Sequence, residues 1–133
     1  MNLSKQRSIK MYDEIANWLD EILSQEMPSE IAAFHFNLYE DDDNEWSMEL
    51  VGTKDFDLED EDWACDEITD FDTREAPFSW EQDADWEKIF DEIITVLSEY
   101  LKKGTYANIL KAYKGVGVGF VDGDIEILYS KKV

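Results

Sequence analysis

Apolar residues follow two kinds of spacing along the chain, and each predicts a different element. Tyr12, Ile15, Ala16, Leu19, Ile22 and Leu23 recur every three or four residues, one stripe of an amphipathic helix from about Ser4 to Gln25. Asp13, Glu14, Asp20 and Glu21 lie largely on its other side, and Pro28 stands shortly beyond its end. From Ala33 onward the period drops to two. Phe34, Phe36 and Leu38 alternate with Ala33, His35, Asn37 and Tyr39; Trp46, Met48 and Leu50 alternate with Ser47, Glu49 and Val51. The polar run Asp41-Asp42-Asp43-Asn44 between them predicts an antiparallel hairpin.

A short strand is expected at Trp63-Ala64-Cys65-Asp66, and Pro77 and Ser79 signal turns around the apolar anchors Phe78 and Trp80. The helical period returns from about Asp85 to Lys103. Trp86, Ile89, Phe90, Ile93, Val96, Leu97, Tyr100 and Leu101 form the apolar face, Asp83 or Asp85 serves as N-cap, and Lys102 and Lys103 complement the helix dipole. A helical turn over Tyr106–Tyr113 follows. The closing run GVGVGFVDGDIEILY places Asp122-Gly123, the chemistry of a two-residue turn, between two strands. That turn pairs Phe120 with Ile125, Val118 with Ile127 and Val116 with Tyr129, all six on one face.

These elements predict one α+β domain over residues 1–133. Its expected form is a single antiparallel sheet of about five strands with two long helices packed on it, in the order α-β-β-β-α-(α)-β-β.

Composition sharpens this picture. Hydrophobic residues make up 44% and aromatics 14% of the 133, enough for a core and contrary to disorder. The formal charge is -21, and residues 40–92 carry 23 of the 33 acids against only Lys54, Arg74 and Lys88. A field of this sign repels nucleic acid and anionic membranes and attracts basic proteins and cations. It far exceeds the net charge of ~2–8 that solubility asks of a small domain. Cys65 alone excludes an internal disulfide, Met1-Asn2-Leu3-Ser4-Lys5 lacks the pattern of a secretion signal, and no apolar run approaches the ~20 residues of a membrane helix. A cytoplasmic protein is expected.

Candidate chemistry is sparse. His35 is the single histidine and Cys65 the single cysteine, so neither builds a zinc pattern. Asp55, Asp57 and Glu59 mimic the start of a calcium loop, but Asp60 stands where the sharp turn needs glycine and Asp66 where a bidentate glutamate closes it. Gly115, Gly117 and Gly119 lack the lysine and following helix of a phosphate loop, and read as a strand facing something close. No metal, cofactor or catalytic site is expected. What remains is a belt in which acids interleave with Trp46, Phe56, Trp63, Phe71, Phe78, Trp80 and Trp86, a composition suited to docking a basic protein.

The small size, the acidity and the α+β layout resemble bacterial immunity proteins, which neutralise cognate polymorphic or contact-dependent toxins. The run Lys114-Gly115-Val116-Gly117-Val118-Gly119-Phe120-Val121-Asp122-Gly123-Asp124 is similar to the tails of small bacterial domains of that kind. The resemblance is one of type and covers the whole chain. It implies inhibition by occlusion: the acidic surface fills the cationic site of a toxin, for instance a nuclease. The contacts so implied are Asp41, Asp42, Asp43, Glu45, Asp57, Glu59, Asp60, Glu61 and Asp62, with Trp63 as apolar anchor. The partner is then a basic protein, with no direct nucleic acid and no membrane, and the chain a monomer or weak homodimer. The alternatives are a nucleic-acid mimic or adaptor bound to a basic host protein, and an enzyme with an unrecognised carboxylate site.

Overall fold

The computed structural model describes residues 3–73, 75–121 and 123–131. The elements run α1 (Leu3–Leu23), β1 (Ala33–Asp42), β2 (Glu45–Thr53), a 3₁₀ turn (Glu61–Cys65), β3 (Glu67–Asp72), β4 (Phe78–Glu81), α2 (Trp86–Lys103), α3 (Ala107–Lys111), β5 (Gly115–Phe120) and β6 (Glu126–Ser130). Among the described residues the strands form one six-stranded sheet in the order β3-β2-β1-β5-β6, with β4 sharing the outer edge of β2. The α+β class and the two long helices are as the periodicity predicts. No helix of the described residues is long and apolar enough to cross a membrane.

The alternation in β1 decides what each sheet face buries. Phe34, Phe36 and Leu38 join Met48, Leu50, Val116 and Val118 in the main core, against Ile15, Leu19 and Leu23 of α1 and Ile89, Ile93 and Leu97 of α2. Each such side chain, moved fully out of water, contributes about 1.5–3 kcal/mol. Asp85 caps α2 by accepting from the Lys88 amide at 2.9 Å. The Tyr100 hydroxyl donates to Asp20 Oδ1 at 2.7 Å, which ties the ends of α2 and α1 together.

Three expectations need correction. The sheet is mixed, because β1 and β5 pair in parallel from Phe34↔Val116 to Leu38↔Phe120. Each of these strands is preceded by helix packed on the same face, so both start at the same end of the sheet. Next, Trp63-Ala64 is no strand. A strand would turn these neighbours to opposite faces, whereas the 3₁₀ turn buries both, and the pairing along the edge of β2 falls to β3 and β4.

The third correction concerns the terminal hairpin. Val116 pairs with Tyr129 as predicted, but a bulge before Gly117 then matches Gly117 with Ile127 and Val118 with Glu126. A slip of one residue exchanges faces. Ile125 and Ile127 accordingly leave the main core and pack with Ala33, Trp63 and Ala64 on the other side of the sheet. Asp122, half of the expected turn, lies outside the described residues.

The second face is covered by the segment 54–66, which is what the glycines of β5 accommodate. A Cβ at Gly115 would overlap the Phe56 ring, and one at Gly117 would stand 3.1 Å from atoms of His35, Trp63 and Ile125 alike. Gly117→Val raises β propensity yet crowds three side chains. The expected outcome in urea unfolding is a loss of about 1–3 kcal/mol. A valine variant as stable as the parent would mean that segment 54–66 is not packed on β5.

Candidate functional site

The acidic residues gather where the elements end. At the tip of the β1–β2 hairpin Asn44 takes a left-handed conformation, φ 62°, which asparagine tolerates. Asp42 Oδ1 accepts from the Asp43 amide at 2.8 Å. Gln82 then joins the tip to β4 and α2. Its amide donates to Asn44 O at 2.8 Å, its carbonyl accepts from Trp46 Nε1 at 3.0 Å, and its side chain bridges Trp80 Nε1 at 3.0 Å and Glu92 Oε2 at 2.7 Å. Through this residue the tip acids sit beside Glu81, and Glu45 stands directly opposite Glu81 across the strand pair.

Beside the tip lies a cleft of about 840 Å³ between the start of α2 and the ends of β1 and β5. Phe120, the last residue of β5, is central to it. Its ring lies 6.0 Å from Trp46, 6.2 Å from Trp86 and 6.1 Å from Phe90, centroid to centroid, in edge-on or tilted arrangements. Trp86 and Phe90 are four apart on α2 and share a face, as do Glu87 and Asp91 beside them. Glu40, Glu87, Asp91 and Asp124 are exposed along the cleft, and among the described residues no lysine or arginine lines it. Trp86 is 54% and Val121 59% exposed, two of the three large apolar side chains left in solvent among the described residues.

A second acidic group covers the other face. Asp57 Oδ1 accepts from the Glu59 amide at 2.9 Å and Asp60 Oδ1 from the Asp62 amide at 3.0 Å, so these carboxylates cap turns of the segment 54–66. Glu61 Oε2 accepts from the Ile125 amide at 2.8 Å and fastens the segment to the β5–β6 connection. The carboxyls of Asp55 and Asp66, the ends of the calcium-like run, lie close enough to share a hydrogen bond when one of them is protonated. That bond, with partial desolvation, holds the Asp55 carboxyl above its ordinary value, while Lys114 and Lys54 pull the other way. Among the described residues no three His, Cys, Asp or Glu side chains are placed to hold a metal ion.

Beneath this segment runs a buried polar chain. Asn37 Nδ2 and the Tyr39 hydroxyl both donate to Glu49 Oε1, at 2.9 and 2.7 Å. Asn37 Oδ1 therefore faces His35 Nδ1, 2.7 Å away, and accepts its proton. Nε2 is left as a bare acceptor, buried and without a partner among the described residues. Burial, chiefly, lowers the His35 pKa from 6.5 to about 4, against the smaller opposing effects of Asn37 and Glu49. The imidazole is neutral at pH 7, edge-on to Trp63 at 5.6 Å. It lines neither the cleft described above nor the smaller one between α1 and β4.

The implied contact residues divide accordingly. Asp41, Asp42, Asp43 and Glu45 are exposed at the hairpin tip, and Asp57, Glu59, Asp60, Glu61 and Asp62 are exposed on the covering segment. Trp63 is not a surface anchor. It is 4% exposed, packed on His35 and Phe56, because the segment needs an apolar pin to stay on the sheet. The expected contacts include none of the cleft acids Glu40, Glu87, Asp91 and Asp124, and the sequence places Trp86 both in the apolar face of α2 and in the acidic-aromatic belt. The usable signal was the doubled spacing Trp86/Phe90 and Glu87/Asp91. The ion pairs Lys10–Glu14 and Lys103–Glu99 touch neither the tip nor the covering segment. Comparison with known proteins returns no match, whether with a family model, a curated protein or a solved structure.

Two measurements follow from these charges. The folded pKa of His35 lies below its unfolded value, so its contribution to stability is complete above pH 6.5 and is lost as pH falls toward 4. The loss is on the order of 3 kcal/mol. With a single histidine, NMR titration reads the site directly: a neutral Nδ1–H imidazole is expected down to pH 5, and titration near 6.5 would contradict the burial. The exposed carboxylates of the tip and the covering segment act differently. Raising salt from about 0.02 to about 0.3 M is expected to raise the melting temperature by about 3–6 °C, through screening of their repulsion. A flat or falling response would mean that the acids are already neutralised.

Proposed function

We propose that the chain is an acidic binding protein that neutralises a basic protein partner, acting in the bacterial cytoplasm as an immunity-type inhibitor of a cognate toxin. One observation carries this reading. The sheet ends bring Glu40, Asp41, Asp42, Asp43, Glu45 and Glu81 together, exposed and free of ion pairs among the described residues, beside a cleft edged by further acids.

The energetics supports function over accident. Like charges opposite one another on neighbouring strands, as Glu45 and Glu81 are, destabilise the pair, as do Glu87 and Asp91 one helical turn apart. Lysine at any of these positions would relieve the strain. An anionic surface assembled against that preference gains its return on meeting a cationic one, through faster encounter and charge-assisted hydrogen bonds. The mechanism is occlusion: carboxylates occupy the places where the toxin's basic groups hold an anionic substrate.

The test is affinity capture from the native cell with the parent and two folded variants, Asp41/Asp42/Asp43→Lys and Asp60/Glu61/Asp62→Lys. The expected partner is a protein with isoelectric point above about 9, released by salt of about 0.5 M and lost from the hairpin-tip variant. Expression of that partner alone should arrest growth, and co-expression of the parent chain should restore it. Equal capture by the parent and both variants would refute acidic docking. Displacement of the partner by duplex DNA, without growth arrest, would favour the nucleic-acid mimic.

A further inference from the structure

We infer that the cleft at the start of α2 is a socket for an arginine side chain carried on an extended basic segment of the partner protein. This rests on the proposal that the acidic end of the sheet docks a basic protein, and it names the chemistry of the central contact.

The cleft has two properties that together select a guanidinium. Its interior is aromatic: Trp86 meets Phe120 at 87° and keeps 54% of its surface in solvent, so much of the indole is open to a stacking partner. Its margin is anionic, with Glu87 and Asp91 one turn apart on the helix that carries Trp86, and Glu40 and Asp124 on the strand side. A planar guanidinium stacks on an indole and at the same time forks two hydrogen bonds to a carboxylate. An ammonium satisfies the acids but stacks poorly, an anion is repelled, and an apolar side chain would strip water from four carboxylates without pairing them.

The volume fits more than one side chain. About 840 Å³ lies within the ~300–1,000 Å³ of ligand-holding clefts, several times the bulk of one residue. The positive end of the α2 dipole points toward the cleft and would oppose a cation. Asp85, which caps the helix, and Glu87 in its first turn offset it. Charge complementarity also continues outward, since Glu40 leads directly into Asp41, Asp42 and Asp43 at the tip. An extended segment seated by one arginine in the cleft therefore meets further acids along the hairpin.

The test uses the full chain, titrated at low salt with hexa-arginine, hexa-lysine and spermine, and followed by amide and indole NMR shifts. Hexa-arginine is expected to bind about five- to tenfold more tightly than hexa-lysine, with shifts at the Trp86 indole and Phe120. Trp86→Ala should bring hexa-arginine down to the hexa-lysine affinity. Glu87→Gln with Asp91→Asn, which removes a repulsive pair and keeps the fold, should weaken hexa-arginine as well. Equal affinities for the two peptides, with shifts confined to residues 41–45 and no effect of Trp86→Ala, would overturn the socket and leave acidic docking standing. Binding of neither peptide would overturn the docking proposal itself. Spermine matching hexa-arginine in both affinity and shifts would overturn the choice of a protein segment.

Discussion

The structure depends on keeping carboxylates hydrated or hydrogen-bonded while their strands are buried on both faces. β1 is covered by α1 and α2 on one side and by the segment 54–66 on the other, and β2 beside it is buried from Trp46 to Thr53. An ionised group in that interior would lose several kcal/mol of hydration. Glu49 lies inside, 4% exposed, and it is met by both Asn37 and Tyr39. Every acid at the hairpin tip and on the outer side of the covering segment reaches water. The surface pattern is therefore a consequence of core packing, since the tip and the cover are the places where this region can put its charge.

The same constraint explains which parts of the fold were legible in the sequence. Both long helices follow from one-sided periodicity, because each has an apolar face and a face in water, and the first hairpin follows because its second face, though covered, carries the polar residues His35, Asn37, Ser47 and Glu49 between the apolar ones. The 3₁₀ turn and the terminal bulge are different. Trp63 and Ala64 look like alternation cut short, but they are fixed by the floor beneath them, Ala33 and Gly117, distant in sequence. The local pattern pairs Ile125 with Phe120 and Ile127 with Val118 on one face. The bulge turns them to the second cluster, and nothing within the local run marks it. Only Gly115, Gly117 and Gly119 hinted that a second layer lies close, and the Cβ positions at 115 and 117 show it to be loop aromatics.

The candidate site was half visible. Composition locates the acids between residues 40 and 92 and predicts their exposure at the tip and on the cover, but it does not tell an aromatic that pins from one that is displayed. Trp63 and Trp86 stand in equally acidic surroundings, and the structure assigns them opposite roles. Trp63 is spent on the second cluster. Trp86 begins its helix, where the main core has already been closed by Ile89 and Ile93 one turn further on, so its indole is left beside Phe120 at the edge. Position within the element separates the two, and that depends on where β5 ends, a tertiary fact.

This division of labour bears on what the acidic end can do. The main core buries Phe34, Leu50, Ile93 and Val118 away from the tip, whereas Trp86, Val121 and the acids around them lie exposed at its edge. Neutral side chains there would remove the repulsion between Glu45 and Glu81 and between Glu87 and Asp91 and cover apolar surface better. A domain whose stability resides elsewhere tolerates such a region, and tolerance alone would scatter charges and rings without order. Here the rings converge on Phe120 and the carboxylates edge them, an arrangement whose charge repulsion a planar cation would relieve.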